Sequence, residues 1–202
     1  MTTIFDDLLE SVRAFLLGVD DVRVAGAVSG IDWKMHRREL APQRLDCLRH
    51  LDRAAEIAPA SARPLAGLLA GHRSRLRWGQ TYGREDFGQG FIDNYGWCEV
   101  FGTRGHFAND SIACGVLLLG PGLLYPDYHH EAEEIYVPLT GETEWRMGDE
   151  PFRRRMAGEV VHHASNVDHA MRTGTEPLLA LYLWRGGPLA QKSVIARTGE
   201  EN

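Results

Sequence analysis

The sequence predicts a mainly β fold, one closed antiparallel barrel or double-sheet jelly roll over residues 77–202, preceded by an α-helical region over residues 1–76 that packs on it. Three observations predict this. Apolar residues recur at helical spacing only as far as Leu76. After Arg77 the composition turns to glycine and aromatics, Trp78-Gly-Gln-Thr-Tyr-Gly-Arg-Glu-Asp-Phe-Gly-Gln-Gly90. Beyond that, short β-like runs follow one another between glycines and prolines, the pattern of a barrel or jelly roll.

The elements follow in order. Ile4, Phe5, Leu8, Leu9, Val12, Phe15 and Leu16 repeat at helical spacing, so residues 4–17 read as a helix, with Thr3 as N-cap and Asp6 and Asp7 near its positive end. Val22 to Gly30 is weakly patterned and reads as a connection. Leu45, Leu48, Leu51, Ala54, Ala55 and Ile57 predict a second helix over 41–57, closed by Pro59. A third opens near Ser61, tolerates Pro64 in its first turn and runs to about Leu76. Leucine stripes at this spacing are core, packed against one another or against the barrel. The glycine-rich stretch 78–90 reads as a loop or edge, and not as a nucleotide cradle, because no strand precedes a GxGxxG there and no helix is expected after it. Strands are expected around 91–102, 112–119, 123–130, 133–139, 142–147, 152–157, 159–164, 168–173 and 177–185.

Composition bounds the function. The chain has 202 residues, 44% of them hydrophobic and 25% charged, which fits a soluble globular protein and argues against disorder. Its net charge of −6, with no basic block longer than Arg153-Arg154-Arg155, argues against a nucleic-acid partner. Cys47, Cys98 and Cys114 are odd in number and lack CxxC spacing, so they read as reduced core residues. Acidic residues near the N-terminus and the lack of a long apolar run point to the cytoplasm and away from membranes.

The stretch 122–141, Gly-Leu-Leu-Tyr-Pro-Asp-Tyr-His-His-Glu-Ala-Glu-Glu-Ile-Tyr-Val-Pro-Leu-Thr-Gly, is the densest in chemistry. Extended backbone alternates faces, so Tyr128, His130, Glu134 and Tyr136 share one side while His129, Glu131 and Glu133 share the other. A neutral imidazole and a carboxylate aimed into one cavity suit a divalent transition metal such as zinc, iron or manganese. A third ligand is needed, and His162, His163 and His169 are the candidates. His36, His50 and His72 have no companions at ligand spacing and read as structural.

Gly122, His130, Glu134 and Gly141 fall on the first cupin motif, G-x5-H-x-H-x3-E-x6-G, with Tyr128 in place of its first histidine. Gly158 and His169 fall on the second, G-x5-P-x-G-x2-H-x3-N, where Ala164, Asn166 and Thr173 replace the proline, glycine and asparagine. The chain therefore resembles a single-barrel cupin. Tyr125, Tyr136 and the Asp-His-Ala-Met run at 168–171 resemble the bacterial dimethylsulfoniopropionate (DMSP) lyases, most of all the Q type.

That resemblance implies His130, Glu134 and His169 as ligands of one metal, Tyr136 as catalytic base and Tyr125 as a second active-site phenol. It also implies a lyase that splits DMSP into dimethyl sulfide and acrylate. Trp184 and Tyr182, which share parity, and Tyr128 are the candidates to face the substrate; Tyr128 as a ligand, a donor to a ligand or a barrel-lining residue stays open. Other expectations for the same ligand set are an iron dioxygenase acting on a small carboxylate, or a non-catalytic small-molecule-binding cupin. The expected partner is a small molecule, bound by a monomer or homodimer.

Overall fold

The computed structural model describes residues 3–196. Helix α1 spans Ile4–Leu17 and opens with a capping box, in which Asp6 N–H donates to the Thr3 hydroxyl and Thr3 N–H donates to the Asp6 carboxylate. Helices α2 (Val22–Ser29), α3 (Leu51–Ile57), α4 (Arg63–His72) and α5 (Arg84–Ile92) follow, with short 3-10 turns at Asp46–His50 and Arg73–Arg75.

Three of these depart from the sequence reading. The connection at 22–30 is helix α2, capped by the Asp21 side chain, with Val24, Ala27 and Val28 buried on one side. The second helix does not begin at 41. Gln43 instead pairs its backbone with the chain around Arg77: Gln43 N–H donates to Leu76 O at 3.2 Å and Trp78 N–H donates to Gln43 O at 3.2 Å. Backbone groups engaged across the chain cannot also serve a helix, so helical geometry starts only at Asp46. The glycine-rich stretch thought to be a loop contains α5, whose first turn is tied by Gly83 N–H donating to Asp86 and which kinks at Gly88, where φ is +78°.

The strands are β1 (Tyr95–Gly102), β2 (Phe107–Ala108), β3 (Ile112–Leu119), β4 (Leu124–His129), β5 (Glu133–Pro138), β6 (Thr143–Met147), β7 (Arg153–Arg155), β8 (Val161–His163), β9 (His169–Arg172), β10 (Leu178–Arg185) and β11 (Val194–Ile195). They form two sheets, one of six strands in the order β2-β1-β3-β10-β5-β8 and one of five in the order β11-β4-β9-β6-β7. The fold is thus a single jelly-roll barrel of the cupin type behind a helical N-terminal region.

The six-stranded sheet is buried on both faces, which is why β3 reads as the unbroken run Ile-Ala-Cys-Gly-Val-Leu-Leu-Leu. Alternation assigns the faces. Val116, Leu118, Leu179, Leu181, Leu183, Ile135 and Val137 pack in one cluster with Leu8, Val12, Leu16, Leu65 and Leu69 of the helices. The other parity, Leu117, Leu119, Ala180, Tyr182 and Tyr136, joins Tyr125, Tyr128 and Trp145 in the barrel interior. At about 25 cal/mol per Å2 of apolar surface, covering the outer face with helices is what allows so apolar a sheet to stay in solution.

His106 reports on this helix–sheet seam. Its ring packs 4.8 Å from that of Phe5, and Nε2 accepts the Arg77 N–H at 3.2 Å, which requires the neutral ring. Burial, followed by the charges of Arg37 and Arg77, pushes its pKa down to about 4 from 6.5. The unfolded chain then binds more protons than the folded one between those values, so this stability is complete above pH 6.5 and is lost as pH falls toward 4. Urea titrations at pH 7 and pH 5 are expected to show a larger drop in midpoint for the parent protein than for His106→Gln; equal drops would assign the acid sensitivity elsewhere.

Candidate metal centre and cavity

Strand register places the site. In the six-stranded sheet Glu134 stands between Trp184 on β10 and His163 on β8, and Tyr136 stands beside Tyr182, which is itself opposite Gly115. A side chain at 115 has no room, because a Cβ there would lie 2.6 Å from the Tyr182 hydroxyl and 2.8 Å from Glu99 Cα. In the facing sheet Tyr128 on β4 pairs with His169 on β9, and His130 follows directly after β4. Both sheets therefore aim their chemistry at one place inside the barrel.

His130, Glu134 and His169 offer ligand atoms that all lie within 4.8 Å of one another, and all three residues are buried. His130 Nδ1 and His169 Nδ1 each lie 2.8 Å from a carbonyl oxygen, of Ala132 and Val167 respectively. A carbonyl only accepts, so each Nδ1 carries a proton and each ring, when neutral, presents an Nε2 lone pair. Those lone pairs face Glu134 Oε2 at 3.0 Å and 3.3 Å, and the Trp184 indole N–H donates to Oε1 and fixes the carboxylate. Two ring nitrogens and a carboxylate converging on one point fit a cation, a shared proton or a metal ion, and two imidazoles with one carboxylate are a donor set for a divalent transition metal.

The electrostatics agree. Burial opposes ionisation of Glu134, but the neighbouring imidazoles, His130 first, outweigh it and hold the carboxyl well below its usual range; burial lowers the His130 imidazole in turn, and Glu134 outweighs that and holds it above its ordinary value. Burial, then Glu134 and Tyr128, holds the Tyr136 phenol well above its usual range. Its hydroxyl lies 3.4 Å from that of Tyr128. His163 stacks on His169 with ring centroids 3.9 Å apart, and its Nδ1 is 3.8 Å from Glu134 Oε2; burial, then the His169 charge, pushes it down to about 4, so it stays neutral.

Tyr125, Tyr128, Glu134, Tyr136, Tyr182 and Trp184 line one narrow cavity of about 40 Å3 that opens to solvent. His129 and His162 lie outside it, paired with Asp168 at 2.7 Å and Glu133 at 2.8 Å. Sequence reasoning missed the rest of the wall: Thr81, Tyr95, Trp97 and Arg104 on one side, and Leu189, Gln191 and Ser193 of the strap that follows β10. One signal was available. Glu99 is a single acid in the otherwise apolar strand Tyr-Gly-Trp-Cys-Glu-Val-Phe-Gly, and such an acid needs a partner.

A single-barrel cupin carrying a buried His/Glu/His cluster is the class of protein that this fold and site define. Residues 23–180 match the DMSP lyase family, and the chain belongs to it. It is 43% identical over 110 residues to the dimethylsulfoniopropionate lyase DddQ of Ruegeria pomeroyi, covering 54% of this chain and 55% of that protein. A putative dimethylsulfoniopropionate lyase, DddL of Cereibacter sphaeroides, is 29% identical over 140 residues, covering 68% of this chain and 58% of the relative. The chain thus aligns with somewhat more than half the length of these curated relatives. The crystal structure of DddQ from Ruegeria pomeroyi superposes with a TM-score of 0.87 at 30% identity, covering 98% of both chains. No helix among the described residues is long and apolar enough to cross a membrane.

Proposed function

We propose that this protein is a metal-dependent lyase that cleaves DMSP to dimethyl sulfide and acrylate by removing the α proton. The observation that carries this is the meeting of two imidazole nitrogens and a carboxylate in one buried cluster, whose Glu134 lines an aromatic cavity together with the phenol of Tyr136. Membership of the DMSP lyase family supports the choice of substrate. His130, Glu134 and His169 are the ligands, and zinc, iron and manganese all suit the set. A metal held by these three residues would supply positive charge for the substrate carboxylate, which would make the α proton more acidic and favour the phenolate of Tyr136.

The chain's own groups do the rest. Trp184 and the two imidazoles keep Glu134 ionised and oriented. Tyr136 takes the proton from Cα; that electron pair becomes the new C=C bond while the Cβ–S pair leaves with sulfur as neutral dimethyl sulfide. The sulfonium is a soft cation and lies against the faces of Trp184, Tyr182 and Tyr125, a contact worth roughly 0.5–2 kcal/mol. Tyr128 orients the Tyr136 hydroxyl. Tyr125, packed 4.4 Å from the Tyr128 ring, closes the apolar side of the cavity and keeps water out. The buried free thiols Cys47, Cys98 and Cys114 support a reducing cytoplasm as the setting, with the chain acting as a monomer or homodimer.

The test is anaerobic incubation of purified, metal-quantified protein with DMSP while headspace dimethyl sulfide is followed. Stoichiometric dimethyl sulfide and acrylate without oxygen are expected. Oxygen consumption with no dimethyl sulfide would favour a dioxygenase, and binding without turnover a non-catalytic cupin.

A further inference from the structure

The wall opposite the cluster is built around a buried acid. Glu99 is 2% exposed in β1. Its Oε1 accepts the Arg104 N–H at 2.6 Å, and its Oε2 lies 3.4 Å from Arg104 Nε. The turn that brings Arg104 back is fitted to this purpose. Gly102 adopts φ +148°, and a Cβ there would lie 2.9 Å from Glu99 Cδ; a Cβ on Gly105 would lie 2.8 Å from Phe101 Cα. Arg38 clamps the turn, donating to Gly102 O at 2.8 Å and Gly105 O at 3.3 Å. Burying a lone carboxylate is costly, so a turn shaped to accommodate it needs a return. The return is the position of Arg104, whose guanidinium lies 4.6 Å over the Trp97 ring, while Trp97 is itself held by its N–H donating to Thr81 Oγ1 at 3.0 Å.

Arg104 and Trp97 line the cavity that holds Glu134 and Tyr136, and they also line a second, polar cavity with Gln43, Arg77, Gln80 and Glu99. They are the partition between the two. Arg104 Nε is shielded from solvent and turned toward Glu99 Oε2, while the two terminal nitrogens make no hydrogen bond among the described residues, so the outer edge of the guanidinium retains donor capacity.

We propose that Arg104 is the carboxylate-handling residue of this partition: it receives a carboxylate that reaches the cavity beside Glu134 and Tyr136, that of the substrate or of acrylate, and so selects anionic ligands. The proposal rests on the lyase reading for the identity of those carboxylates. Glu99 and Trp97 are positioning residues that hold the fork in place. A guanidinium suits the task because it offers a planar pair of donors and keeps its charge in a half-buried setting. It also discourages the sulfonium from approaching first, so the zwitterion enters with its carboxylate leading.

The test compares acrylate with its neutral isostere acrylamide, each as an inhibitor of dimethyl sulfide release and each as a quencher of tryptophan fluorescence on addition to the metal-loaded protein. Arg104→Gln is expected to reduce the preference for acrylate over acrylamide about tenfold, the scale of one lost charge-assisted hydrogen bond. It should raise KM for DMSP more than it lowers kcat, with metal content unchanged, and Arg104→Lys should recover part of the preference. An unaltered acrylate-to-acrylamide ratio in Arg104→Gln, or a uniform fall in kcat with KM constant, would overturn the assignment. If the parent protein releases no dimethyl sulfide, the lyase reading fails, while the fluorescence comparison still decides whether Arg104 holds a carboxylate. Should Arg104→Gln not fold, the Arg104→Lys protein decides instead, through a reduced but surviving preference.

Discussion

Tyr136→Phe is expected to lower kcat for dimethyl sulfide release by about a thousandfold while leaving bound metal and thermal stability unchanged. The size follows from removing a general base, which is worth roughly 10²–10⁴ in rate. The specificity of the loss follows from the structure. The Tyr136 ring packs against Trp145 at 5.0 Å and Tyr182 at 6.4 Å between centroids, and phenylalanine keeps both contacts. Its hydroxyl has one phenolic neighbour, Tyr128 at 3.4 Å, a long contact whose loss costs little stability. None of the three clustered ligand atoms belongs to it. Tyr125→Phe is the internal comparison. That ring lies among Tyr82, Phe91, Tyr95 and Tyr128, at 5.8, 5.3, 5.6 and 4.4 Å, so losing its hydroxyl should cost far less activity. Normal acrylate release by Tyr136→Phe, or an equal loss in both variants, would remove Tyr136 from the role of base. Metal content is measured on the same samples, because a variant that has also lost its metal says nothing about a base.

What the sequence made legible was periodicity and what it concealed was long-range compensation. The period of two within β5 brings Glu134 and Tyr136 to its interior face, because a strand buried on both sides has no freedom to slip its register, whereas Tyr128 and His130 reach the same place from the facing sheet, across the turn between β4 and β5. The resemblance to the second cupin motif singled out His169 among three candidate histidines, and the structure brings it to Glu134. Helix α5 was hidden because Gly88 and Gly90 dilute its apolar pattern; it is held by the Asp86 cap and by Phe87 and Phe91 packing on Tyr125, contacts no local window contains. The start of the second helix was misread for a related reason: Gln43 spends its backbone bonds on residues more than thirty positions away, Leu76 and Trp78. Arg104 was invisible as a cavity residue, since its position comes from a turn folded around Glu99 and from Trp97 on a neighbouring pleat, and a sequence shows the acid but not what it holds.

Glu134→Gln should abolish tight metal binding and with it both turnover and the stabilisation that metal confers. In the parent, a ligand that binds only the folded state adds RT ln(1 + [L]/Kd), about 4 kcal/mol at a thousandfold excess over Kd. For a chain of this length that corresponds to a Tm gain of roughly 8–16 °C, which a chelator should reverse. Glutamine keeps the shape and can still accept the Trp184 N–H, so the bond that orients the side chain survives. What disappears is the negative charge between two imidazole lone pairs, and a neutral amide oxygen is a poor ligand for a transition metal. In the metal-free state the same change removes a buried carboxylate that the neighbouring imidazoles hold ionised, so at neutral pH the variant is expected to be somewhat less stable than the chelated parent. The outcome is diagnostic: a Tm that responds neither to chelator nor to added zinc, iron or manganese, and no dimethyl sulfide. A parent protein whose Tm and activity are both indifferent to chelator would show that His130, Glu134 and His169 converge for structural reasons alone.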